Sequence, residues 1–337
     1  MPMQRLPILR FAQSALVICL ILVLFTKCHK SDPPNLSGKD PTAAGDSCSA
    51  TWAAADSIEI FPADNAWNED ISGHPVDSFS NQIIAGFSAS GLKADFGSGL
   101  WQGAPIGIPF MVVCANQKPV PIVFRANSYD GNYGDESDPG PYPIPLTAPI
   151  EGNGQGDSHV IAVDKDHDRL YELYNASVAA DHWEASAGAV FNLASDQFRP
   201  AGWTSADAAG LPIFPGLVRF DEVNSGTIRH AIRFTLQNSL VAPYYISPAR
   251  HSVNSTGGTY GLPFGARLRL KQAYDVSGFP QRVQAILNAM KKYGIILADI
   301  GSNLYISGAP DARWNNDELQ ELGQVKATDL QVVSFSR

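Results

Sequence analysis

In GDSHVIAVD, residues 156–164, a carboxylate and an imidazole stand two positions apart at the mouth of an apolar run. If HVIAV is a strand, its side chains alternate. Asp157, His159, Ile161 and Val163 then share one face, and Ser158, Val160 and Ala162 the other. Asp157, one pleat away, can orient His159 for general acid–base work or bind a metal together with it. The plainer alternative is a strand-end histidine bonded to a carboxylate for structural reasons.

A second histidine strand follows in GTIRHAIRFTL, where His230, Ile232 and Phe234 share a face. His230 then points into an apolar layer and must find a partner or a pocket. LVRFDEV brings Arg219, Asp221 and Glu222 just before it, and PARH brings Arg250 and His251 soon after. Arg219, Arg233, Arg250, Arg267 and Arg269 all fall in one third of a chain with only 24 Lys and Arg. Two accounts stay open. One is a solvated sheet face paired with nearby acids. The other is a concave face that recognises an anionic or polyhydroxylated polymer.

Glycoside hydrolysis requires two carboxyl groups, about 5–5.5 Å apart for retention and roughly 6.5–9.5 Å for inversion. The candidates are Asp157, Glu172, Asp207 and Glu222. Glu172 stands among large apolar residues in LYELY, where burial would raise its pKa as a general acid needs. Asp207, in TSADAAG, reads equally well as a helix-start residue without chemistry. A polysaccharide lyase would use the same material differently: an arginine neutralising a uronate, and His230, His251, Tyr244 or Tyr245 removing a proton. Trp183 and Trp203 lie near these segments and can stack on sugar rings.

For metals, DKDHD (164–168) lacks the glycine of an EF-hand loop, having Arg169 at the sixth position, and reads as a polar hairpin turn. The better calcium candidate is SYDGNYGDESDPG, with Asp130, Asn132, Asp135, Glu136 and Asp138 in a Gly-rich loop; an exposed acidic loop is the alternative. A zinc site from Asp157, His159, His230 and His251 ranks third, since no HExxH or close histidine pair supports it. The chemistry outlined requires no cofactor, calcium being the one candidate.

The elements that must hold these residues are short. IPFMVV, PVPIVF, HVIAVD, LYELY, AVFNL, LVRF, HAIRFTL, PYYIS, ARLRLK, GIILADI, LYISG and DLQVVSF are rich in Val, Ile, Tyr and Phe and are separated by turn formers. About a dozen strands of this kind predict an all-β sandwich or jelly roll. One helix is predicted in GFPQRVQAILNAMKKYG, where Val283, Ile286, Leu287 and Met290 form one face and Gly294 supplies the stop. A second, short helix is predicted after Asn316, and single turns in SADAAG and FDEVNSG.

The N-terminal part reads as an export signal over residues 1–27, because the apolar run 14–26 is shorter than the roughly 20 residues of a membrane span. A Pro/Ser/Gly/Asp linker, 28–50, then leads to one β-rich domain, 51–337. Cys28, between apolar core and linker, resembles a bacterial lipoprotein acceptor, although Lys27 occupies the place of a small residue; ordinary cleavage is the alternative. The expected location is outside the cytoplasm, on a bacterial membrane through a lipid anchor or else periplasmic or secreted. Cys48 and Cys114 remain in the mature part, either paired as a disulfide or as free buried thiols; the disulfide is the preferred expectation. Net charge is −9 and no basic run exists, which argues against nucleic acid as a partner.

SHVIAVD, GLVRFDEV, HAIRFT, PARH and GARLRLK together resemble a family of exported bacterial β-rich proteins, from about residue 60 onward. That resemblance implies export and a β-rich fold but brings no activity. The residues lead to an exported protein acting on a polysaccharide or oligosaccharide, preferentially a glycoside hydrolase. A non-catalytic carbohydrate-binding or adhesion protein is the competing class. Two acids facing one cleft, lined by His159 or His230, would favour the hydrolase.

Overall fold

The computed structural model describes residues 59–126 and 133–336. All of these lie in a unit that runs from Ser47 to Arg337. Its framework is all-β with a few short helices, as the strand-like segments predict. Ten strands make the two larger sheets. In chain order they are β1 (Lys93–Asp95), β2 (Met111–Val113), β3 (Val160–Asp164), β4 (Arg169–Tyr174), β5 (Ala187–Asn192), β6 (Ile232–Leu236), β7 (Arg267–Leu270), β8 (Ile295–Ile300), β9 (Tyr305–Ser307) and β10 (Leu330–Val332). The six-stranded sheet has the order β1-β9-β6-β8-β7-β10 and the four-stranded sheet β5-β4-β3-β2. Both are mixed: β1 and β9, β6 and β8, and β2 and β3 run parallel.

The hairpin β3–β4 shows why the pattern folds as it does. Val160 faces Leu173, Ile161 faces Glu172 and Asp164 faces Arg169. Alternation sends Ile161 and Val163 into the larger core and Val160 and Ala162 into a smaller one with Tyr142, Ile144 and Trp183. DKDHD is the polar turn: Asp164 Oδ1 accepts the N–H groups of Asp166 (3.1 Å) and His167 (3.2 Å).

Helix α1 (Ser80–Ala85), which no sequence signal announced, lies beside β10. Helix α2 (Phe220–Ser225) occupies the predicted FDEVNSG turn. Helix α3 (Gln281–Lys292) connects β7 to β8 and buries Val283, Ile286, Leu287 and Met290. Each such side chain stabilises by roughly 1.5–3 kcal/mol. Gly294 ends that helix segment at φ +74, where a Cβ would also meet the carbonyl oxygen of Leu268 at 2.6 Å. Helix α4 (Asn316–Gln320) is capped by Asn315, whose side chain accepts from the N–H groups of Asp317 and Glu318. SADAAG forms no helix. It is a side-chain-bonded loop that becomes the floor of the site.

Candidate functional site

The loop Ser205–Gly210 packs against the six-stranded sheet and is fixed from several sides. Ser205 Oγ donates to the carbonyl of Leu211 (2.6 Å), and Asp207 Oδ1 accepts the N–H of Ala209 (3.0 Å). Gly210 turns the chain at φ +68, and a Cβ there would meet the Trp203 carbonyl oxygen at 2.5 Å and Arg250 Cβ at 3.2 Å. The next segment can therefore approach closely: the N–H groups of Arg250 and His251 donate to Ala209 O at 2.9 and 3.1 Å.

Three side chains then grip the loop in succession. His159 Nε2 lies 2.9 Å from Ala206 O, Arg233 holds Asp207, and His251 Nδ1 lies 2.8 Å from Ala208 O. Arg233, in the middle of β6, reaches Asp207 Oδ2 through Nε (3.1 Å) and Nη2 (2.8 Å), Asp299 Oδ2 through Nη2 (3.3 Å) and Ser307 Oγ through Nη1 (2.7 Å). Above the loop opens a cavity of about 550 Å³, a size suited to a small ligand or a few sugar rings. Asp157, His159, Asp207, His251 and Asp299 line it, with Thr204, Ser205, Asn238, Asn254, Tyr133 and Tyr174 supplying hydroxyl and amide groups.

Both nitrogens of His159 face acceptors, Glu151 Oε2 at 2.5 Å and Ala206 O at 2.9 Å, so both must donate and the ring is an imidazolium. Burial opposes that charge, but Glu151 overrides it and raises the His159 pKa to about 9. His159 is thus a cation fixed in the wall by Glu151 and the Ala206 carbonyl, with Glu151 rather than Asp157 as its carboxylate partner. Asp299 behaves oppositely. Burial and the neighbouring Asp207 carboxylate push its pKa up to about 7 against the pull of Arg233.

The other expected site residues separate. Asp157 and Asp207 face the same cavity, whereas Glu172 and Glu222 do not. Glu172 is fully buried and accepts the N–H groups of Ile213 (2.9 and 3.0 Å) and Phe214 (2.9 Å). Burial raises its pKa to about 7, as expected, yet its oxygens serve the backbone. Glu222, His230 and Arg219 come together in a different cavity, His230 Nε2 lying 3.2 Å from Glu222 Oε2. Burial would raise the Glu222 pKa, but Arg219 and His230 hold it low, which unsuits it as a proton donor.

The expected basic face is not formed. Arg219, Arg233, Arg267 and Arg269 are buried, because their strands and loops are covered on both sides. Their guanidinium groups bond inward: Arg219 to Phe214 O (3.0 Å), Arg269 to Ser72 O (2.8 Å) and His74 O (3.1 Å), and Arg267 to Ala66 O. Arg250 Nε donates to Arg199 O at 2.8 Å. No Lys or Arg lines the cavity among the described residues, and Tyr244 and Tyr245 are not in its wall. The arginines and the tyrosines named for a lyase, Tyr244 and Tyr245, thus stand outside this wall, whereas His251 lines it.

Trp183 is a core residue, its Nε1 donating to Ile144 O at 3.0 Å, and Trp203 lies under the Arg199 guanidinium. Neither lines the cavity. Among the described residues no three His, Cys, Asp or Glu side chains are grouped to hold a metal ion, so the zinc set is not assembled: His230 stands apart from His159 and His251. Of the calcium candidates, Asp130 and Asn132 lie outside the described residues. Asp138 is engaged by Arg199 and by the Val190 N–H (2.8 Å), and Asp135 sits in a 3-10 turn. Cys114 is disulfide-bonded; its expected partner Cys48, like Cys28, lies outside the described residues.

Sequence reasoning missed Asp299 and Glu151. Asp299 closes the apolar strand GIILADI, and a carboxylate on a buried strand was the signal available. Glu151 begins the Gly-rich EGNGQG segment, where nothing local points to His159 eight residues on. No family model, no curated protein and no solved structure matches this chain.

Proposed function

We propose that this protein is a glycoside hydrolase whose cleft is the cavity above the Ser205–Gly210 loop. The observation that carries the reading is the convergence of Asp157 and Asp299 on one cavity rich in hydroxyl and amide groups. With a pKa near 7, Asp299 keeps a proton to donate at mildly acidic to neutral pH. It protonates the glycosidic oxygen as the bond from the anomeric carbon breaks. The exposed Asp157 carboxylate faces the positive charge that develops on the ring. Asp207 is tied to Arg233 and acts through Asp299, whose pKa it raises. The fixed imidazolium of His159 and the gripped loop keep these groups in place.

Among the described residues no Lys or Arg lines the wall, and the three carboxyl groups of Asp157, Asp207 and Asp299 outnumber the His159 cation, which favours neutral glycans over uronates. Export, with Cys28 as a lipid anchor, belongs to the same proposal and rests on the N-terminal pattern alone. The test is reducing-end release from a panel of neutral and anionic glycans by the full chain and by Asp299→Asn. Release by the wild type that the variant loses supports the reading. Binding without release by either protein would instead favour a carbohydrate-binding protein, and an ultraviolet signal from unsaturated uronate would favour a lyase.

A further inference from the structure

Hydrolysis in this cavity needs a group that accepts the proton of the attacking water, and the hydrogen bonds narrow the choice. His159 has both ring nitrogens turned to acceptors and offers no lone pair. Asp207 accepts from Arg233 and from the Ala209 N–H, Asp299 is assigned to donation, and Asp157 is assigned to the charge that develops on the ring. His251 is different. Its Nδ1 lies 2.8 Å from Ala208 O, a carbonyl that can only accept, so Nδ1 carries a proton and in the neutral ring Nε2 carries the lone pair. Among the described residues the hydrogen bond of the ring is the one at Nδ1, and His251 lines the cavity.

We infer that His251 is the general base of this site, taking a proton from water at Nε2 while Asp299 delivers one to the leaving oxygen. The inference rests on the hydrolase reading. In the step, the water oxygen bonds to the anomeric carbon, the glycosidic C–O bond breaks, the water proton passes to His251 and the Asp299 proton goes to the departing hydroxyl. Proton exchange with solvent resets both groups. The backbone supports the role: the His251 N–H donates to Ala209 O and its Nδ1 to Ala208 O, so two bonds from one loop set the ring. The titratable groups facing the same cavity are Asp157, His159, Asp207, Asp299, Tyr133 and Tyr174.

The test uses the full chain with a glycan the wild type hydrolyses, His251→Ala with and without added imidazole, and His251→Asn. The expected result is a fall in kcat of about 10²–10⁴-fold with KM little changed, and partial recovery of the Ala variant by imidazole. A residue with a purely structural role would not be rescued by free imidazole. Nitrogen-15 NMR of the wild type independently reads the tautomer: Nδ1 protonated and Nε2 bare at His251, both nitrogens protonated at His159. Glycan hydrolysis with unchanged kcat in the folded Ala variant, absence of imidazole rescue, or an Nε2-protonated neutral His251 would overturn the base. A wild type that hydrolyses no glycan overturns the hydrolase reading itself and the base role with it.

Discussion

Arg233 holds Asp207 through two hydrogen bonds to one carboxylate oxygen, from Nε at 3.1 Å and Nη2 at 2.8 Å, and both side chains are buried. The same guanidinium reaches Asp299, so two acids that would repel each other share one cation. This arrangement links the sheet to the loop and sets the protonation of the cleft.

Removal of the cation leaves that acid pair uncompensated. Arg233→Met is expected to cost about 3–5 kcal/mol, since breaking a buried pair strands the remaining charge. Asp207→Asn, which keeps an acceptor for Arg233, should cost less. Urea midpoints of the two variants measure the difference, and equal midpoints would show that the pair does not hold the loop.

Asp299→Asn should trade activity for stability. Its folded pKa, about 7, lies above the ordinary 3.8, so ionising it in the fold costs stability as pH rises from near 4 through 7. The asparagine variant escapes that cost. Its melting temperature relative to wild type should therefore climb between pH 4 and 8, while hydrolysis falls at every pH. A gap that stays flat with pH would mean Asp299 is ionised throughout.

The His159–Glu151 pair makes a pH prediction of the same sign in a higher window. A histidine pKa raised from 6.5 to about 9 contributes stability that is full below pH 6.5 and lost as pH passes 9. The rise corresponds to roughly 3 kcal/mol. Glu151→Gln removes the opposing charge, so melting temperatures of that variant should vary little from pH 6.5 to 9 where wild type declines. Parallel slopes would show that His159 is neutral.

How much of this was legible follows from the range of each interaction. The β3–β4 hairpin, its polar turn and α3 rest on contacts between near neighbours in sequence, and alternation or a 3.6-residue period displays them. Asp157 and His159 could be placed on one strand face for the same reason. The cleft is made by contacts that no local pattern encodes: Arg233 to Asp207 across 26 residues, and His251 to Ala208 across 43. The arginines misled because alternation in ARLRLK resembles a half-exposed strand, whereas segment 66–74 covers that face and takes the guanidinium bonds on its carbonyls. Glu172 was correctly placed in an apolar setting, but no sequence signal tells a proton donor from a clamp for two amides.

Glu172 supplies the last prediction, because it is the acid that sequence favours and geometry does not. Glu172→Leu would strand the buried N–H groups of Ile213 and Phe214, each costing about 1–3 kcal/mol, and should lower the urea midpoint accordingly. Glu172→Gln retains a carbonyl oxygen able to accept from both, so it should fold nearly as well. If Asp299 is the donor, the glutamine variant keeps kcat within a few-fold of wild type, whereas Asp299→Asn loses about 10²–10⁴-fold. The reverse pattern, a stable glutamine variant without activity, would move the general acid from Asp299 on β8 to Glu172 on β4.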